Sequence, residues 1–162
     1  MSDVIRIANC SGFYGDRIDA AKEMVEGGPI DVLTGDYLAE LTMSILYNQQ
    51  QSRGENMGYV GTFLKQVQQV AGACIEKGIK IVTNAGGLNP KSMADEIEKI
   101  LDAQGLTAKV AWIDGDDLLG DLDHLQNGGQ SFTNLDTQEK LAETDQAALT
   151  ANIYFGGWAI KE

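Results

Sequence analysis

The chain has 162 residues, a length that suits one domain with one hydrophobic core, predicted to span residues 1–162. Apolar residues make up 43% of it and the formal net charge is −12. This composition favours a globular fold and argues against nucleic acid or an anionic membrane surface as partner, because an acidic surface repels phosphate. The two cysteines do not suggest a disulfide framework, and the sequence contains no recognisable leader or membrane-spanning stretch. We therefore predict a soluble, cytoplasmic protein.

The first part of the chain predicts two strand–helix units. The helix after the first strand begins at Asp16, a plausible N-cap, and ends at Gly27 and Gly28. The second strand leads into a helix from about Tyr37, which a polar stretch over residues 48–56 interrupts. The two strands are residues 4–9 and 30–34, and the apolar stripe of the second helix is Leu38, Leu41 and Ile45.

The clearest amphipathic helix precedes the third strand and ends at Gly78. After the third strand, Asn89 caps a helix with Pro90 in its first turn. A fourth strand, an acidic stretch, a helix from near Asp136 and a fifth strand follow. The stripe of the long helix is Val60, Phe63, Leu64, Val67, Val70, Ala71 and Cys74, and the three later strands are residues 79–83, 108–113 and 151–155.

The alternation of strands and helices implies parallel pairing through right-handed crossovers. About five strands suit an open sheet better than a closed eight-stranded barrel. We therefore predict an α/β fold, an open doubly wound and mostly parallel sheet of about five strands with helices on both faces.

Four loops follow the carboxyl ends of the predicted strands, where open parallel sheets bind ligands. Each loop pairs glycine with a carboxylate or a carboxamide. Glycine lets a backbone N–H approach a ligand closely, and a helix start adds partial positive charge. The predicted ligand-binding residues of these loops are Gly12, Phe13, Gly15, Asp16, Gly35, Tyr37, Gly86, Gly87, Asn89 and Gly115.

Carboxylates and one carboxamide in these loops are candidates for acid–base catalysis or for oxygen ligands of a divalent metal. Asp36 and Glu40 stand four residues apart on a predicted helix, so they can face one pocket. The competing interpretation is that Asp16, Asp36 and Asn89 are ordinary helix caps. Asp116 and Asp117 lie close to Asp114, and three carboxylates in one loop are more than helix capping requires. The catalytic candidates are Asp36, Glu40, Asn84, Asp116 and Asp117.

Standard phosphate and nucleophile motifs do not occur in the sequence. It has no G-x-G-x-x-G, no Walker-type Gly-Lys-Ser/Thr and no Gly-x-Ser-x-Gly. Cys10 ends the first strand and could be a nucleophile, although a buried structural cysteine is the more frequent case. His124 is the single histidine and cannot build a usual zinc site with two scattered cysteines, so no metal is assigned.

Several segments agree, in order, with one set of family signatures. They are residues 7–17 (IANCSGFYGDR), 35–44 (GDYLAELTMS), 58–59 (GY), 84–90 (NAGGLNP) and 114–118 (DGDDL). Together they resemble the AtuA (acyclic terpene utilisation) family, from about Val4 to the end of the chain. The resemblance adds Arg17 to the ligand-binding residues. The residues that match its motifs are Asp16, Arg17, Asp36, Glu40, Asn84, Asn89, Asp116 and Asp117.

The resemblance implies a bacterial-type catabolic protein linked to the breakdown of acyclic terpenes such as citronellol and geraniol, whose pathways run through acyl-CoA thioesters. The expected function is an enzyme domain (a lyase, hydratase or hydrolase) that acts on a branched terpene-derived acid or its CoA thioester. Two alternatives stay open. One is a non-catalytic binding or assembly subunit, and the other is a divalent-metal-dependent hydrolase built around Asp116.

Members of the family are usually longer, and residues 154–158 resemble a segment that they continue past. A truncated form, a short form or one piece of a split protein would each fit. The last two would leave an unfinished sheet edge, which favours a homo-oligomer or a partner subunit.

Overall fold

The computed structural model describes residues 4–154 and 156–161, which form two compact units, one up to Ile113 and one from Asp114 onward. The prediction of a single domain stays a prediction. In chain order the first unit contains β1 (Ile7–Asn9), α1 (Ala20–Gly27), β2 (Val32–Gly35), α2 (Glu40–Arg53), α3 (Gly61–Lys77), β3 (Lys80–Thr83) and α4 (Pro90–Ala103). The second contains α5 (Leu122–Asn127) and α6 (Trp158–Lys161), with 3-10 turns at Leu119–Asp121 and Leu141–Glu143.

The sheet of the first unit is parallel, with strands in the order β1-β2-β3. The register places Ile7 opposite Val32 and Val32 opposite Lys80. Both crossovers therefore step in the same direction across the sheet. Since crossovers of this kind are right-handed, two steps in one direction bring their helices to the same face.

The packing agrees with that topology. The row formed by Ala8, Leu33 and Ile81 packs against α1 and α3. The neighbouring row begins with Ile7, which is 65% exposed, and it points to the opposite face because side chains alternate along a strand. The prediction of helices on both faces is wrong for the described sheet. A doubly wound fold needs the chain to reverse its direction across the sheet, and these three strands do not reverse it.

Helix α3 lies between two apolar clusters, and its predicted stripe is confirmed. Its first half packs Phe63 and Val67 against Tyr37, and its second half packs Val70 and Cys74 around the strands. Every predicted stripe residue is buried except Leu64, which is half-buried. The helix ends at Gly78, whose φ of +69° is the left-handed conformation typical of a helix C-cap.

Helix α2 differs from the prediction. It starts at Glu40 instead of near Tyr37 and continues through the polar stretch to Arg53. Its inward residues are Thr42 and Leu46, whereas Leu41 is 73% exposed, so the predicted stripe is wrong. The cause is that Tyr37 enters the core from the loop before the helix, which shifts the helical face that follows.

Two helix starts test the capping predictions. Helix α1 ends at Gly27 as predicted, but it starts at Ala20, so Asp16 lies outside the helix and is not its cap. Helix α4 starts as predicted. Asn89 Oδ1 accepts the N–H of Ser92 at 3.0 Å, and Pro90 occupies the first turn.

The predicted strands and helix after α4 are not formed. Residues 108–113 carry no strand pairing, and residues 151–154 contribute only a bridge from Asn152 to Asp117; Phe155 lies outside the described residues. No helix starts at Asp136. There, Asn134 Oδ1 accepts the N–H groups of Asp136 and Thr137, each at 2.9 Å, and forms a turn that competes with a helix. The described sheet therefore has three strands, not about five.

None of the helices in the described ranges combines the length and the apolarity that crossing a membrane requires.

Replacement of Phe63 by alanine should lower the free energy of unfolding by about 3–5 kcal/mol, because the residue is 3% exposed and belongs to the larger cluster. Urea denaturation followed by circular dichroism measures the loss. Ile75→Ala on the same helix is the matched control. Its side chain is 40% exposed, so it should cost about 1 kcal/mol or less. Equal losses for both variants would contradict this orientation of α3.

Candidate functional site

The loops after β1 and β2 run side by side at the carboxyl edge of the sheet. Backbone hydrogen bonds join them beyond the strands, from Cys10 N to the Thr34 carbonyl at 2.8 Å and from Asp36 N to the Ser11 carbonyl at 2.9 Å. The loop after β3 joins the same edge through Thr83, whose hydroxyl donates to the Gly35 carbonyl at 2.9 Å. Three of the four predicted loops therefore meet, because they follow adjacent parallel strands.

The best-defined polar arrangement at this edge joins Asp36, Tyr37 and Asn84. The Asn84 side chain accepts the backbone N–H of Tyr37 at 2.8 Å and donates through Nδ2 to Asp36 Oδ1 at 2.6 Å. Both Asp36 and Asn84 are exposed. Asp36 is not a helix cap, since α2 has Ala39 at its N-cap and no side-chain cap there. The carboxylate is thus oriented by an amide while it faces solvent.

The structure changes the relation predicted for Asp36 and Glu40. Asp36 precedes α2 and Glu40 is the first residue of that helix, so they are not four residues apart on one helical face. That argument for a shared pocket is wrong. Glu40 is exposed in the first turn of the helix, where a carboxylate is favourable beside the N-terminal N–H groups.

Tyr37 anchors the edge to the core. Its side chain is 2% exposed, and its ring meets Phe63 edge-to-face with centroids 5.8 Å apart. Its hydroxyl donates to Oε1 of the buried Gln66, whose Nε2 donates to the Arg17 carbonyl at 3.2 Å. Burial raises the pKa of Tyr37 above its ordinary range, so the hydroxyl keeps its proton and acts as a donor. The ring stabilises the loop from within the core, and the predicted contact of Tyr37 with a ligand stays a prediction.

Gln66 was missed by the sequence analysis, although a signal for it existed. It lies three residues after Phe63 and beside Val67, on the apolar stripe of α3. A glutamine at a core position requires buried partners, and here it finds Tyr37 and the first loop. Its position thus predicts a polar link, but the partners themselves become visible only in the fold.

The first loop is closed by Asp16. Its carboxylate accepts the N–H of Gly12 at 3.0 Å and the N–H of Arg17 at 2.8 Å. These hydrogen bonds, that from Gly12 first, hold the pKa of Asp16 below its ordinary range. The Arg17 guanidinium pairs with Glu23 at the surface. Asp16 thus already uses the Gly12 N–H that was predicted for a ligand, whereas the neighbouring Phe13 stays 60% exposed.

Several loop glycines have packing reasons of their own. A Cβ on Gly35 would lie 2.6 Å from the ring of Tyr37, and one on Gly86 would lie 2.7 Å from Cβ of Pro90. Gly87 has a φ of +55°, and a Cβ there would lie 2.8 Å from the Gly58 carbonyl oxygen. These glycines let the chain approach itself, so their occurrence alone does not indicate a ligand. Gly15 differs, because a side chain there would have room but its φ is +97°.

Both the oxygen and the nitrogen of the Asn89 side-chain amide form hydrogen bonds that stabilise the fold. While its oxygen caps α4, its Nδ2 donates to the Glu55 carbonyl at 3.0 Å and ties the segment after α2 to α4. The capping interpretation is confirmed for this residue, and its predicted contact with a ligand stays a prediction.

Asp116, Asp117 and Gly115 belong to the second unit. Asp116 accepts from the Asn152 side chain at 3.0 Å, and Asp117 accepts the N–H of Leu119 at 2.8 Å. Backbone bonds between the segments around Asp116 and Asn152 complete this local arrangement. Both carboxylates therefore have structural partners inside their own unit, and their catalytic roles stay predictions.

The residues predicted for metal or nucleophilic chemistry are placed as follows. Among residues 4–154 and 156–161, no group of three or more His, Cys, Asp or Glu could hold a metal ion. Cys10 and Cys74 are free and buried, in the cluster around Leu33. Burial is the main cause that raises the pKa of each thiol, so the reactive thiolate is disfavoured.

We expect both thiols to react slowly with Ellman's reagent in the folded protein at pH 8, because each cysteine is less than about 5% exposed and has a raised pKa. After unfolding in guanidinium chloride the two should react within seconds to minutes. The time course of thiol reaction in the unfolded protein is the control for the time course in the folded protein. Fast reaction of one thiol in the folded protein would contradict a purely structural role for that cysteine. If the fast thiol is Cys10, its candidacy as a nucleophile would be supported.

No curated protein and no solved structure matches the chain. Residues 5–162 match the protein family described as "Acyclic terpene utilisation family protein AtuA", which covers the loops of both units. The chain therefore belongs to the acyclic terpene utilisation family AtuA.

Proposed function

We propose that this chain is a cytoplasmic catabolic enzyme domain that acts on a small molecule, a branched terpene-derived acid or its acyl-CoA thioester, with Asp36 as the acid–base group. The observation that carries the proposal is the Asp36–Asn84 hydrogen bond at the carboxyl edge of the sheet, in a chain of the acyclic terpene utilisation family. This carboxylate is exposed and does not cap a helix, so capping does not account for its position.

The geometry suits a general base. Oδ1 of Asp36 accepts the hydrogen bond from Asn84, and among the described residues no donor is bonded to its Oδ2. A carboxylate held by one oxygen keeps the other available to take a proton from a water molecule or from carbon beside an acyl carbonyl. Lyase, hydratase and hydrolase reactions of acyl compounds share this proton transfer. The proposal therefore names the class of step without choosing among the three reactions.

Two exposed apolar side chains support a hydrocarbon substrate. Phe13 is 60% exposed and lies two residues after Ser11, whose carbonyl accepts the N–H of Asp36. Leu41 is 73% exposed in the first turn of α2, on the same loop-to-helix segment as Asp36. Exposed apolar groups on the segments that carry the polar centre fit a ligand that is part hydrocarbon and part carboxyl derivative.

The remaining predicted catalytic residues have a secondary place in this proposal. Glu40 is exposed near the same loop and can take part as a second carboxylate. Asp116 and Asp117 belong to the second unit, and their predicted catalytic roles stay predictions outside this proposed step. No cofactor is needed for the proton transfer, and the alternative of a divalent-metal hydrolase around Asp116 has no support in the described side chains.

A second candidate function is that of a binding or assembly subunit whose partner completes the site. The observation that favours it is the outer strand β1, which within the described part of the chain pairs with β2 alone and exposes Ile7. The two candidates differ in what they require. The enzyme needs Asp36 for turnover, whereas the subunit needs a partner.

Replacement of Asp36 by asparagine should abolish turnover, with a loss of about 100-fold or more, because the amide cannot accept the proton. The melting temperature should change by less than a few degrees, since the residue is exposed and caps no helix. A thermal-shift screen against CoA, branched acyl-CoAs and terpenoid acids first identifies the ligand, which must raise the melting temperature of the folded protein. The same acyl compound is then used for turnover.

Asp102→Asn is the matched control for this experiment. Asp102 is an exposed carboxylate near the end of α4, far along the chain from the loops of the carboxyl edge. Its replacement should leave turnover and ligand binding unchanged. If both variants retain full turnover, Asp36 is not the base. If no compound shifts the melting temperature of the unmodified chain, the subunit role is favoured instead.

A further inference from the structure

The outer side of β1 carries unpaired backbone groups. The Arg6 carbonyl accepts the N–H of Val32 at 3.1 Å, and the N–H of Cys10 donates to the Thr34 carbonyl at 2.8 Å, so even-numbered residues of this segment face β2. Backbone groups alternate in direction along a strand, and the N–H and C=O of Ile5, Ile7 and Asn9 therefore point away from β2. Within the described chain, β1 has a neighbour on one side only.

This edge lacks the usual protection against pairing. Natural edge strands carry charged side chains, proline, bulges or a covering element. Residues 4–9 contain one charged side chain, Arg6, and no proline. The apolar side chains of the segment are open to solvent, and their exposures are 72% for Val4, 68% for Ile5 and 65% for Ile7. The edge therefore offers both a hydrogen-bonding template and an apolar surface.

The charge of the segment is compatible with a second copy of the same chain. The protein carries 24 acidic against 12 basic residues, so most faces of two copies repel each other. Residues 4–9 contain no carboxylate. Two copies can thus approach through this strip without bringing acidic side chains together within it.

We propose that a second copy of this chain pairs with the outer side of β1, strand against strand and antiparallel, about a two-fold axis at Ile7. Ile7 then lies opposite Ile7 of the second copy, and Ile5 lies opposite its Asn9. These three residues bear the outward N–H and C=O groups, so the pairing forms about six backbone hydrogen bonds. It joins the two three-stranded sheets into one continuous sheet.

The antiparallel register is favoured by the single charge of the strand. About a two-fold axis at Ile7, Arg6 lies opposite Ala8 of the second copy. A parallel in-register pairing would place Arg6 beside Arg6, where like charges repel. It also conflicts with the parallel hydrogen-bond pattern, in which a bonding residue lies opposite a non-bonding one, as Val32 does opposite Ile7. The self-complementary pattern of apolar residues around Ile7 also brings the two isoleucine side chains into contact on the same face. This interface is independent of the proposed reaction, so turnover by a monomer would leave the enzyme proposal intact and overturn this one.

Sedimentation equilibrium at about 10–100 µM tests the pairing. The unmodified chain should have a mass near twice the 17.5 kDa of one copy. Ile7→Lys places two like charges opposite each other and should raise the dissociation constant at least about 10-fold. Leu135→Lys is the matched control, because Leu135 is 90% exposed in the second unit and should leave the association unchanged. A monomeric unmodified chain, or an equal effect of both variants, would overturn the proposal.

A cross-link identifies the register and does not depend on the lysine variant being folded. In the proposed register the Cα atoms of the two Ile7 positions lie about 5.5 Å apart, a separation that a disulfide spans. With diamide as oxidant, Ile7→Cys should therefore form a disulfide-linked dimer in high yield. Leu135→Cys should not, and the native cysteines are buried. If the unmodified chain associates but the Ile7→Cys variant forms no cross-link, another surface mediates the association and the proposed register is wrong.

Discussion

The carboxyl edge of the sheet depends on Tyr37, which leaves β2 and turns directly into the core. Its ring fills the space between α3 and the sheet. The backbone N–H of Tyr37 stays at the edge and donates a hydrogen bond to the Asn84 side chain. Gly35 must lack a side chain for the ring to lie there, since an added Cβ would contact it at 2.6 Å. A single buried aromatic residue thereby fixes the conformation of one loop and selects the partner of the next.

This anchor explains why Asp36 does not cap α2. With Tyr37 buried, two further residues precede α2. The helix therefore starts at Glu40 with Ala39 at its N-cap, and the Asp36 carboxylate does not cap it. The carboxylate then turns to the amide of Asn84, which is itself held by the Tyr37 N–H. The polar pair at the surface is a consequence of the apolar anchor beneath it.

The sequence predicted well those elements that are stabilised locally. The stripe of α3, the Asn89 cap of α4 and the three strands of the first unit follow from side-chain spacing and capping chemistry alone, and the structure confirms them. Errors occurred where distant residues decide. The start of α2 depends on the burial of Tyr37 by α3, and the direction of the crossovers depends on the order of the strands, which no local pattern contains.

The same limit applies to the loops of the candidate site. Asp16, Asp36 and Asn89 occupy similar sequence contexts, in glycine-containing loops that follow strands, and the sequence offers one capping explanation for all of them. In the fold they separate into three uses. Asn89 caps α4, Asp16 closes its own loop through Gly12, and the Asp36 carboxylate accepts, among the described residues, only from the Asn84 amide. Hydrogen-bond accounting in three dimensions distinguishes them, because a carboxylate that satisfies backbone donors stabilises the fold, whereas one held by a side chain at the surface retains the capacity to accept a proton.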